Sequence, residues 1–281
     1  MSTAGLPEGA GDLGPLGHAT GYPDTYDSAQ LFTVARAPQR AALGVSDDTL
    51  PFTGADIWTA YELTWLDERG KPAIAIGTLD VPVASPALVE SKSMKLYLGS
   101  FAQSVFPSVD AVAAVVARDL TAATGAQVGV TLRTPAAFTA ERIVALAGES
   151  LDALAVTCGH DEIDVAALWS GGAEVEEALT TDLFRSVCPV TGQPDLASVR
   201  IAYRGPRIDR AALLRYLVSY RRHPGFHEHC VERIFVDVAA RCRPAALTVE
   251  ARFTRRGGID INPFRTNAGL APPPNVRTPR Q

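Results

Sequence analysis

IWTAYELTWLDERGKPAIAIGTL, residues 57–79, is the stretch on which the fold turns. Two runs rich in β-branched and aromatic residues, 57–67 and 71–79, flank Glu68-Arg69-Gly70, and that turn chemistry predicts an antiparallel hairpin. Downstream the apolar period changes from two to about 3.6. Met94, Tyr97, Leu98 and Phe101 recur at helical spacing, and 110–125 (DAVAAVVARDLTAATG) reads as a helix with Ser108 or Asp110 as cap and Gly125 as stop. Strands at 127–133 and about 151–157 close this half. The second half repeats the order: strands at 176–187 and 198–205, helices at 208–222 and 226–242, then strands at 245–254 and 258–264. Element order therefore predicts an α+β fold of tandem ββααββ modules, each an antiparallel sheet with paired helices on one face. The expected boundaries are a flexible segment at 1–30, modules at 31–160 and 161–268, and a solvated, proline-rich tail at 269–281.

Composition narrows the function classes. Of 281 residues, 47% are hydrophobic and 20% charged, and no apolar run approaches the ~18 residues that cross a bilayer, so neither a membrane span nor a membrane partner is expected. The opening residues MSTAGLPEGAGDLGPLGH have no basic start and no apolar h-region, which predicts a cytoplasmic protein. Four cysteines, at 158, 188, 230 and 242, form no CxxC pair and are expected as free thiols. A formal net charge of −5 argues against a nucleic-acid partner, because phosphate contacts need a concentrated basic surface. A small-molecule ligand suits the chain better. No GxGxxG follows a strand and no GxxxxGK[ST] occurs, so any dinucleotide is held by another device.

Four segments carry candidate chemistry. In 186–195 (SVCPVTGQPD) a thiol ends an apolar strand, just before a loop stiffened by two prolines and a glycine. Cys188 is there a candidate nucleophile, and Asp195, across the turn, a group with which it exchanges a proton. The plainer reading is a small buried hydrophobe beside a turn residue. In 224–230 (PGFHEHC), Glu228 sits where a helix dipole favours a carboxylate, which alone explains it. As chemistry, its two oxygens suit an adjacent N–H pair such as a guanine edge presents, while His227 suits a carbonyl. A metal set of His223, His227, His229 and Cys230 is interrupted by Pro224. In 89–98, Glu90-Ser91-Lys92 precede an apolar stripe, either as an ordinary helix cap or as an anion site. Arg255-Arg256-Gly257-Gly258 is a basic turn between strands, a plain hairpin or a phosphate dock.

At these places the sequence closely resembles the long, two-module form of the 7-cyano-7-deazaguanine reductases. VESKSMKLYLGSF (89–101), CPVTGQPD (188–195), FHEHCVERIF (226–235) and RRGGIDINPFR (255–265) carry the resemblance, supported by GTLDVP (77–82), and it extends from about residue 30 to 265. It implies the tunnelling fold, which agrees with the element order read above. It also implies a four-electron reduction of a nitrile with two NADPH as co-substrate, no metal, and a place in queuosine biosynthesis, a tRNA modification. By motif, Cys188 is the nucleophile that forms a thioimide and Asp195 the proton donor. Val89, Glu90, Ser91, His227 and Glu228 contact the deazaguanine, and Ser91, Lys92, Arg256 and Gly257 contact NADPH. One departure is Gly99, where the family commonly has Asn; a glycine there loosens the helix without removing a named role.

Two other readings compete: a zinc-dependent cyclohydrolase of the same fold, with Cys158-Gly159-His160 as a thin basis for a metal cage, and a silent binding module for a modified purine or tRNA. The tandem modules and the family's habit suggest a homodimer.

Overall fold

The computed structural model describes residues 21–159 and 162–281. A short ribbon pairs β1 (Thr33–Ala35) with the later β4, and α1 (Ala37–Ala42) follows β1. The hairpin expected at 57–79 is longer than the sequence suggested: β2 (Thr53–Leu66) and β3 (Pro72–Pro82) pair antiparallel. Gly70, at φ +75°, makes the reversal, and the Asp67 carboxylate accepts from the Arg69 and Lys71 amides at 2.9 and 3.0 Å. β4 (Ala87–Val89) leads into α2 (Ser91–Gly99), then α3 (Val109–Thr124) and β5 (Gly129–Arg133). Ser108 caps α3 by accepting from Ala111 N–H, and Gly125 ends it in the left-handed conformation. Gly99 closes α2 with open space where a side chain would stand, so nothing nearby needs an Asn.

The second half consists of β6 (Glu149–Ser150), β7 (Ser170–Val187), β8 (Pro194–Ile208), α4 (Arg210–Val218), α5 (His227–Cys242), β9 (Ala246–Phe253) and β10 (Ile259–Thr266). The main sheet runs β5-β3-β2-β10-β9-β8-β7-β6, antiparallel except for the two-residue β6–β7 pairing. Because β10 pairs with β2 over eight residues, the two halves share one continuous sheet. Each half keeps its own core on the helix side: Trp58, Trp65 and Leu79 against Met94, Tyr97, Val116 and Leu120, and Phe184, Val199 and Val249 against Leu213, Val231, Ile234 and Phe235.

The repetition extends to side chains. Tyr97 on α2 donates to Asp119 on α3 at 2.8 Å, and Tyr216 on α4 donates to Asp237 on α5 at 2.7 Å. Ser100 and Ser219 each donate to the carbonyl of that tyrosine at 2.6 Å. The α+β tandem arrangement is thus as expected from element order.

Three expectations are corrected. No strand forms at 151–157: after β6 the Asp152 carboxylate accepts from Thr181 Oγ1 and Asp182 N–H at 2.5 and 2.9 Å, where the β7–β8 register shifts, and it turns the chain off the sheet. Of the tail expected to be solvated, 269–274 is exposed as expected, but 275–281 is seated on the sheet face opposite the helices. There Asn275 donates to Thr59 and accepts from Arg252, and Gln281 donates to Asn262 and to the Phe253 carbonyl. That face is polar, so the polar side chains of Asn275 and Gln281 cover it. Residues 1–20 of the expected amino-terminal segment lie outside the described residues; its end packs on the first module, with Tyr26 edge-on to Phe101 and bonded to Asp119.

A buried ionic cluster sews the halves together. Arg265 on β10, fully buried, meets Asp56 on β2 at 2.7 Å and Glu232 on α5 at 2.9 Å. Arg36 pairs with Asp56 at 2.5 Å, and Arg40 on α1 with Glu232 at 2.8 Å and Asp47 at 2.6 Å. Burial alone would raise the Asp56 and Glu232 acids, but the guanidiniums hold both below the usual carboxylate range. Arg265→Met takes one of two guanidinium partners from each of two buried carboxylates, leaves the cluster with an excess negative charge, and is expected to cost about 3–5 kcal/mol in urea unfolding. A loss below about 1 kcal/mol, the size of an exposed pair, would remove the cluster from the account of the junction.

Candidate active site

The site lies where the two halves meet. β7 delivers Cys188 at its end, and the reversal that follows is tight: Cys188 N–H donates to the Gln193 carbonyl at 2.8 Å, Gly192 N–H donates back at 3.1 Å, and Gly192 takes φ +69°. Across the ladder Asp195 on β8 stands opposite Ser186, which puts it on the same sheet face as Cys188, two residues beyond Ser186. Cys188 and Asp195 thus open into one cavity from the same end of the sheet. The same strand end also places α5. Val187 donates to the His223 carbonyl at 3.0 Å and accepts from Gly225 N–H at 3.1 Å, so the first turn of α5, with His227 and Glu228, is fixed beside Cys188.

Asp195 is the hub, only 4% exposed. His227 Nε2 lies 3.3 Å from one of its oxygens, and the imidazole is stacked on Phe253 with ring centres 3.8 Å apart and planes at 9°. Arg256 approaches the other oxygen at 2.7 Å and also donates to the Gln193 side chain. The N–H does not point along that close approach, so the contact is an ion pair rather than an aligned hydrogen bond.

These residues line one cavity with Val89, Ser91, Pro189, Phe226, Glu228 and Ile261. Glu228 is 2% exposed; burial and, next, the Asp56 charge push its acid up to about 7. An acid poised near neutrality in a cavity is a mark of a functional site. A second hollow adjoins the first, sharing Ser91, His227, Arg256 and Ile261 and adding Lys95, Thr254 and Asp260. Burial and then Arg256 lower the Lys95 ammonium, so two cations face each other there. A wider, more open depression lies elsewhere, beside the middle of β7, between Glu176, Arg200, Arg204 and Leu270, and it holds none of this chemistry.

Of the residues singled out in the sequence, the structure brings Val89, Ser91, Cys188, Asp195, His227, Glu228 and Arg256 together. Glu90 is not among the lining residues. It is fully buried as the cap of α2, where its carboxylate accepts from the Lys92 and Ser93 amides at 2.6 and 2.8 Å. The first turn of α2, considered above as an anion site, is thus occupied by the chain's own carboxylate. Lys92 and Gly257 also stand outside both hollows, although a side chain at Gly257 would touch Lys95 at 2.9 Å. Lys95 was missed in the sequence; the signal was its position four residues beyond Ser91, on the same helical face. Cys230, considered as a metal ligand, is buried under α5 with its thiol pushed up to about 12 by burial, and His160 lies outside the described residues.

Residues 22–132 match the family described as nitrile reductase, 7-cyano-7-deazaguanine-reductase N-term, and residues 194–270 match the family described as QueF-like protein. An NADPH-dependent 7-cyano-7-deazaguanine reductase of Chromobacterium violaceum is 54% identical over 271 residues, 95% of this chain and 96% of the relative. The enzyme of the same name from Burkholderia pseudomallei is 56% identical over 269 residues, 95% of this chain and 98% of the relative. With both halves matched and identity sustained along nearly its whole length, the chain belongs to the family of NADPH-dependent 7-cyano-7-deazaguanine reductases.

Proposed function

We propose that the protein reduces the nitrile of 7-cyano-7-deazaguanine to 7-aminomethyl-7-deazaguanine through a thioimide on Cys188, with NADPH as hydride source. Its setting is queuosine biosynthesis in the cytoplasm, and its working form a homodimer of chains with modules at 31–160 and 161–268. The observation that carries the reading is one cavity lined by a strand-end thiol, a carboxylate on the same sheet face, and a buried acid on the facing helix.

The chemistry follows from those groups. A nitrile is a poor hydride acceptor. Addition of the Cys188 sulfur to its carbon opens the triple bond to C=N and makes that carbon electrophilic. A free thiol is mostly protonated at neutral pH, so Asp195 takes the proton from sulfur and returns it to the nitrile nitrogen. NADPH supplies one hydride to the thioimide carbon and a second to the imine that remains after sulfur leaves. Between the two, the nitrogen lone pair re-forms C=N as the C–S bond breaks, and the sulfur recovers its proton by way of Asp195. Each hydride transfer leaves the nitrogen in need of one further proton, which the Asp195–His227 pair takes up from solvent and delivers, two in all per amine formed. His227, clamped between Phe253 and Asp195, keeps its Nδ1 for the ligand. Arg256 and Lys95 fit the NADPH phosphates: their mutual repulsion in the adjoining hollow is relieved by an anion placed between them.

The direct test is turnover. Protein, 7-cyano-7-deazaguanine and NADPH are mixed, and two NADPH are expected to be oxidised per amine formed; saturating both ligands without amine product would refute the reading. Asp195→Asn, which keeps the shape but cannot receive the thiol proton, is expected to slow adduct formation about 10²–10⁴-fold with ligand affinity little changed. Single-turnover mass analysis separates the two effects.

A further inference from the structure

We propose that Asp56 is a positioning residue for Glu228: it completes a buried charge cluster balanced without Glu228, so that the Glu228 carboxyl waits in the cavity as a neutral acid and releases its proton to solvent when a ligand that offers two N–H donors binds. This rests on the reading of Glu228 as the anchor of the purine edge, and it adds what sets the state of that anchor.

Glu228 and Glu232 are one helical turn apart on α5, so both face the seam where β2 meets β10. Beneath them three guanidiniums, Arg36, Arg40 and Arg265, meet three carboxylates, Asp56, Glu232 and the half-exposed Asp47. Every cation is taken. None of the ion pairs among the described residues includes Glu228, and an ionised Glu228 would be a fourth anion over a neutral cluster. The charged groups that act on it are Asp56 from β2, Arg36 from the segment before α1 and His227 beside it on α5, with Glu232 one turn further along that helix. Across the cavity stand Cys188, Asp195 and Arg256. Burial and then Asp56 disfavour its charge, while His227 and Arg36 work the other way.

A guanine-type edge presents two parallel N–H donors, which need two acceptor oxygens. A neutral carboxyl offers one, and its own O–H confronts the second donor. The ligand therefore selects the ionised form, and below the midpoint its affinity falls about tenfold per pH unit, because each binding event must expel a proton.

The experiment uses Cys188→Ala protein, so that no covalent step contributes. Titration calorimetry with 7-cyano-7-deazaguanine, between about pH 5.5 and 8 in buffers of different ionisation enthalpy, counts the protons released. Close to one proton per ligand is expected at the acid end and none at the alkaline end, and Glu228→Gln should abolish the release. Asp56→Asn removes a facing anion and moves the midpoint to lower pH; Arg36→Gln removes a facing cation and moves it to higher pH. A residue that merely supports the fold weakens binding equally at every pH. Affinity without pH dependence while Glu228→Gln still binds poorly overturns this proposal and leaves the anchor intact. Glu228→Gln binding as tightly as its parent overturns the anchor itself. Should Asp56→Asn not fold, an unmoved midpoint in Arg36→Gln overturns the role of the cluster.

Discussion

Cys188→Ala is expected to abolish amine formation, lowering turnover by at least about 10³-fold, and to leave the fold in place. The substitution removes one sulfur from a side chain that borders the cavity, so the packing loss is small, about 1 kcal/mol, and the thermal midpoint should fall by only a few degrees. The chemical loss is large because no other cysteine lines the cavity: Cys158 stands outside it. Cys230 and Cys242 are sealed in the core with thiols pushed up by burial to about 12 and about 11, out of reach of a ligand and poor in thiolate. Intact-mass analysis with 7-cyano-7-deazaguanine and no NADPH should find wild-type protein heavier by one ligand and Cys188→Ala unshifted. An adduct of the same mass on the variant would place the nucleophile elsewhere.

A strand-end thiol as candidate nucleophile was legible in the sequence; what holds it was less so. The thiol at a strand end, the stiff loop and the carboxylate beyond it all lie within eight residues, and local rules suffice where the partners are local. The capped helix from Ser108 to Gly125 and the hairpin turn at Asp67–Lys71 were readable for the same reason. Long-range partners were not. Arg40 and Glu232 are 192 positions apart, and nothing near either residue marks it as buried; an arginine among alanines reads as surface. Glu90 could be read two ways because helix capping and ligand binding ask for the same carboxylate in the same place; the structure shows the capping bonds to the Lys92 and Ser93 amides. The strand expected at 151–157 failed because its apolar alternation had no partner to pair with beyond β6, where Asp152 takes the hydrogen bonds of the neighbouring strand. The docked tail was hidden by its composition, since a polar face needs a polar cover and prolines do not reveal which segment supplies it.

Glu228→Gln should weaken the substrate far more than so small a change suggests. The amide matches the carboxylate in volume but replaces one acceptor oxygen with an NH₂ group, so in a buried site one ligand N–H meets a donor instead of an acceptor. Both groups lose the bond and neither recovers water, and the expected cost is about 3–4 kcal/mol, on the order of 10²–10³-fold in affinity. The defect should appear as a raised KM and a weakened Kd, while kcat at saturation, set by Cys188 and Asp195, falls much less. An analogue whose ring edge presents one donor and one acceptor should lose less on the same substitution, because the amide complements it. That inversion of preference separates a lost anchor from general damage to α5, which would penalise every ligand alike. Equal losses for both edges, or an unchanged KM, would leave Glu228 as a buried acid with no part in recognition.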